Sequence, residues 1–118
     1  MNILVKRKKE KSKKDSIFVI TTIQRIDEAK NEPSDRYGSV RTVGFRKNFK
    51  SADETVRVNM CDIHEYLYNY ACIEEIGPHI YPELRGRWFY KFNREEDMYE
   101  RIDTPDYISE FELFCNIG

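Results

Sequence analysis

A chain of 118 residues, 40% apolar and 14% aromatic, is too hydrophobic to remain disordered and is close to the usual size of one domain. It buries roughly two-thirds of its unfolded surface on folding, enough for an ordinary core without metal or disulfide support. The net charge of −1 conceals two parts of opposite sign: residues 1–15 hold seven Lys/Arg against Glu10 and Asp15, a balance of +5, and the rest hold 13 Lys/Arg against 19 Asp/Glu, a balance of −6.

Residues 1–15 are lysine-rich and of low complexity, so like-charge repulsion predicts a flexible basic arm preceding a single domain over 16–118. The run Ile17-Phe18-Val19-Ile20 is too short for a signal-peptide core or a membrane span, and the odd count of Cys61, Cys72 and Cys115 fits a reducing compartment. A cytoplasmic protein without membrane contact is expected.

β-branched residues from Ser16 to Ile26 predict a first strand. A polar loop over 27–36 follows, then a second strand from about Tyr37 to Phe45, together a hairpin. Ser51-Ala52-Asp53-Glu54 reads as a capping box, and Ala52, Val56, Met60 and Ile63 recur at helical spacing. The helix is extended through Tyr66 and Leu67, with the change to strand placed near Asn69. Tyr70–Ile76, Arg87–Asn93 and Met98–Ile102 predict three more strands, and Pro105 opens a short final helix carrying Tyr107, Ile108, Phe111 and Phe114. The expected fold is α+β: a single antiparallel sheet of four to five strands, with one main helix and the short C-terminal helix packed on one face, ββαβ(β)α.

No spacing of residues identifies an enzyme. Cys61-x-x-His64 is half of a metal site, and the other half would have to come from His79 or Cys115 without the paired spacing zinc sites use. Cys61 and His64 lack a third group to orient them as a nucleophile and base. Glu74 and Glu75 are adjacent on a strand and point to opposite faces, while Glu95-Glu96-Asp97 and Glu110/Glu112 read as solvated carboxylates. No phosphate-cradling glycine motif is present. A non-catalytic protein with no metal and no cofactor is therefore expected.

Two binding surfaces compete. The acidic stretch 93–112 offers Glu95, Glu96, Asp97, Glu100, Asp103 and Asp106 to a basic partner protein. Alternatively, Arg85, Arg87 and Lys91 interleave with Trp88, Tyr90 and Phe92; with Lys6, Arg7, Lys8 and Lys9 of the arm they would bind nucleic acid by charge and base stacking. The acidic body argues against that alternative, and the rings are expected to serve as the core face of a central strand. The tyrosine content leaves self-association through a sheet edge or helix face open.

Four stretches together carry a resemblance: Arg41-Thr42-Val43-Gly44-Phe45, Cys61-Asp62-Ile63-His64-Glu65-Tyr66, Tyr68-Asn69-Tyr70-Ala71-Cys72-Ile73-Glu74-Glu75-Ile76 and Arg87-Trp88-Phe89-Tyr90-Lys91-Phe92. Over about residues 16–103 the chain resembles small uncharacterised proteins of gut Firmicutes and their phages and mobile elements. That group has no assigned reaction and transfers no catalytic residue. The resemblance implies an accessory role, the binding and blocking of a host protein such as a defence factor.

Overall fold

The computed structural model describes residues 15–26, 37–78, 83–105 and 114–115. Within them the β-branched run forms β1 (Ile17–Ile23), which pairs antiparallel with β2 (Val40–Arg46). Helix α1 (Phe49–Arg57) and a single 3-10 turn (Glu65–Leu67) lead to β3 (Tyr70–Ile76), and β4 (Leu84–Asn93) and β5 (Met98–Ile102) complete the chain of strands. All neighbours are antiparallel, in the order β2-β1-β3-β4-β5. This is the expected α+β architecture with five strands. The predicted arm (1–14), the loop 27–36 and most of the predicted C-terminal helix lie outside the described residues.

The cross-strand register sorts side chains into two faces. Ile20, Ala71, Ile73, Tyr90 and Tyr99 face α1 and close on its buried Ala52 and Val56, with Trp88, Phe92, Phe18 and Phe49 packed around them. Trp88 lies over Gly86, where a Cβ would come within 2.7 Å of the ring. The opposite face carries Ile23, Cys72 and Phe89, which pack with Phe114. Phe114, grouped by helical spacing with residues expected on the α1 side, thus covers the other side of the sheet. Burial holds the Cys72 thiol well above its ordinary pKa, and the neighbouring Glu74 carboxylate adds to the shift.

The helix begins earlier than its capping-box reading. Asn48, in an extended conformation, is the N-cap, its Oδ1 accepting from the Ser51 amide at 2.8 Å. Asn48→Ala is expected to lower stability by about 1 kcal/mol in denaturant unfolding. Ser51→Ala, at a position whose hydroxyl is no cap, should change it by less than about 0.5 kcal/mol. The reverse ranking would restore the capping box.

The helix also ends earlier. Asn59, Cys61 and Asp62 adopt positive φ of 52°, 57° and 53°, so the apolar stripe through Val56, Met60 and Ile63 is carried by a winding turn. Asn and Asp accept this conformation readily, which is why the chain can leave the helix here without glycine. Asn59 Oδ1 accepts from the His64 amide at 2.9 Å and braces the turn. Ile63 still reaches the core, whereas Met60 is 37% exposed.

Candidate docking groove at the β2 edge

β2 ends the sheet, and among the described residues no strand lies on its outer side. Its second half, Gly44, Phe45 and Arg46, is exposed, with Phe45 at 56%. The other end strand, β5, has five residues and exposes Glu100 and Arg101, the usual charged protection of an edge. β2 carries Arg41 and Arg46 together with the exposed Phe45, and it borders a groove of about 510 Å³. Arg41 to Arg46 form one wall, Thr55 of α1 with Met60, Cys61 and Ile63 of the following turn form the other, and Ile20 contributes from β1.

A bulge shapes this wall. Between Ile20 and Thr21 the register slips by one residue, so Arg41 pairs with Thr22 and Arg46 with Phe18. Thr22 and Phe18 are four apart and face α1 together; a regular β2 would send Arg41 and Arg46, five apart, to opposite faces. The extra residue puts both guanidinium groups on the groove side. Gly44 sits at the irregularity with φ of 155°, a conformation that side-chain-bearing residues rarely adopt.

The two arginines are differently engaged. Arg41 Nη1 donates to Glu65 Oε2 at 2.7 Å and its Cζ lies over the Tyr68 ring, but its buried Nε has no acceptor. Arg46 Nε donates to Thr55 Oγ1 at 3.0 Å and Nη2 to Met60 Sδ at 3.3 Å, so among the described residues its partners are neutral. Among the described residues no carboxylate lines the groove. It is therefore a cationic, partly apolar channel on a protein whose body is acidic.

The sites read from sequence fall elsewhere. Glu95, Glu96 and Asp97 are exposed in the β4–β5 turn, where Asn93 Oδ1 accepts from the Glu95 and Glu96 amides, while Glu100 is exposed within β5 and Asp103 just beyond its far end. Asn93 Nδ2 donates to Glu100. The turn carboxylates form an acidic rim, and Asp106 lies outside the described residues. Lys6, Arg7, Lys8, Lys9 and His79 lie outside them as well.

The interleaved basic and aromatic residues separate in space. Tyr90 is fully buried, its hydroxyl donating to Asp53 of α1, and Phe92 stacks on His64 at 3.6 Å between ring centroids. Burial first and the Asp53 carboxylate second hold the Tyr90 hydroxyl well above its ordinary pKa, so it stays a hydrogen-bond donor. Asp53 also accepts from Arg57, tying the last helical turn to the sheet. Arg85, Arg87 and Lys91 belong to the opposite face by alternation. Arg85 donates to Ser16, Arg87 pairs with Glu74, and Lys91 lies over the Tyr70 ring.

Cys61 and Cys72 are equally separated: Cys61 is exposed at the groove, Cys72 is buried on the far face, and His64 contacts Asn69 and Phe92. Cys115 is partly buried, its thiol pushed up to about 11 by burial and by Glu74. Among the described residues no three His, Cys, Asp or Glu side chains gather to hold a metal, and no helix is long and apolar enough to cross a membrane.

Two features escaped the sequence reading. The arginine pair of β2 requires the bulge, for which the isolated Gly44 within a strand pattern was the available signal. Glu74, for which sequence gives only a face opposite to that of Glu75, is completely buried on the far face, where it accepts from Arg87 and from the Phe114 and Cys115 amides. Compared with known proteins, the chain matches no family model, no curated protein and no solved structure.

Proposed function

We propose that this chain is a non-catalytic protein-binding module that receives a segment of its partner along the β2 edge. The observation that carries the reading is the exposed Phe45 on an end strand whose outer edge no described strand covers, next to a groove large enough to take side chains. Natural sheet edges are normally blunted by charge or covered, and an open one is a template for an added strand. The partner, following the resemblance noted above, is a host protein whose activity is blocked by occupation of its own binding segment.

The test is a pull-down from host lysate at low and moderate salt with two variants beside the parent protein. Phe45→Lys replaces the exposed ring with a charge, and it should abolish capture of any specific partner. The triple change Glu95→Gln, Glu96→Gln and Asp97→Asn should leave capture intact. The opposite pattern would move the docking surface to the acidic rim of the β4–β5 turn and overturn the reading.

A further inference from the structure

We infer that the segment received along β2 is acidic and extended, with two carboxylates four residues apart flanking an apolar residue. The inference rests on the docking reading above and deepens it by naming the occupant's chemistry. Arg46 has neutral partners among the described residues, whereas Arg41 already pairs with Glu65 through Nη1 and keeps only its buried Nε without an acceptor. A guanidinium next to a strand edge is best satisfied by a carboxylate, which accepts from two N–H groups at once.

The spacing follows from the bulge. β1, a regular strand, meets Arg41 and Arg46 with residues four apart, Thr22 and Phe18. A regular strand on the outer side of β2 takes the same spacing, about 13 Å at 3.3 Å per residue. The residue midway between falls on the same face, over Val43, Met60 and Ile63, and is therefore apolar.

Charge also selects among occupants. A second copy pairing β2 against β2 would bring four arginines together, and like charges opposed across strands are destabilising. Among the described residues a nucleic acid would meet a short cationic strip on an acidic body, beside exposed Phe45 and Met60. An acidic peptide satisfies the guanidinium groups, the strand edge and the apolar floor together.

Titration calorimetry of the full chain with capped nine-residue peptides tests this. One peptide carries two glutamates four apart around a central leucine; its counterparts carry glutamine or lysine at those two positions, and a twelve-nucleotide oligo-dT serves as the other polyanion. The glutamate peptide should bind at least tenfold more tightly than the glutamine peptide, weaken as salt rises, and lose about tenfold with Arg46→Gln. Arg46→Glu should instead favour the lysine peptide, an exchange that a misfolded variant would not produce. Equal binding of the glutamate and glutamine peptides overturns the acidic preference while leaving docking along β2 in place. Arg46-dependent binding of oligo-dT without the peptide overturns it in favour of nucleic acid. If no peptide binds while Phe45-dependent capture persists, the inference falls and the docking reading survives; if that capture is also absent, both fall.

Discussion

Replacing Glu74 by leucine is expected to lower the stability of the protein by about 3–5 kcal/mol, the range found when one member of a buried ion pair is removed. The carboxylate is fully buried and is used from several directions. Arg87, with a side chain 7% exposed, donates to Oε2 through Nη2 at 2.9 Å and Nε at 3.2 Å. The Phe114 amide donates at 3.0 Å and the Cys115 amide at 2.9 Å. Leucine would remove the Glu74 charge from beside a buried guanidinium and the acceptor from two backbone N–H groups. Against a total stability of about 5–15 kcal/mol for an ordinary domain, such a loss leaves little margin.

The same geometry separates this pair from an ordinary buried salt bridge. Exchanging both members of such a bridge for apolar residues is often neutral or stabilising. Here the double change Glu74→Leu with Arg87→Met should stay destabilised by about 1–3 kcal/mol, the range for a buried polar group left unsatisfied, because the two amides still lack an acceptor. Glu74→Gln, which keeps one acceptor oxygen, should lose less than Glu74→Leu and exchange the Phe114 and Cys115 amide hydrogens faster than the parent protein. Denaturant unfolding of the three variants with hydrogen exchange reads all of this. A loss below about 1 kcal/mol for Glu74→Leu would show that the carboxylate does not hold residues 114–115 to the sheet.

What sequence reasoning could reach depended on how local each signal was. β3 and β5 were bounded to the residue, because β-branched and aromatic runs ended at Gly77-Pro78 and at Asp103. The helix was found but displaced: Asn48 and Ser51 are both good N-caps in composition, and only tertiary packing of Phe49 against Phe18 and Trp88 decides between them. Its far end was overrun because Met60 and Ile63 keep helical spacing through a turn that is not helical. Register was the deeper obstacle. Nothing local in Glu74 announces that Arg87 stands opposite it, and nothing in Arg41 and Arg46 announces a shared face until the β1–β2 slip is known.

Gly44 is where that slip can be tested, and Gly44→Val is expected to lower stability by about 1–3 kcal/mol, the range for a side chain held in a sparsely populated backbone region. A Cβ at Gly44 meets no atom within 4 Å, so the loss comes from the backbone at φ of 155° and not from crowding. The chain can relieve the strain by giving up the irregularity, and the consequence is specific. A regular β2 sends either Arg41 or Arg46 to the far face, breaking the Arg46–Thr55 contact or the Arg41–Glu65 ion pair. Gly44→Val should therefore weaken binding of the glutamate peptide by about as much as Arg46→Gln, even at temperatures where the variant is fully folded. A substitution that destabilises without touching the bulge, such as Asn48→Ala, should leave peptide affinity unchanged under the same conditions. If Gly44→Val loses stability but binds the peptide like the parent protein, the shared face of the two arginines is not what the groove uses.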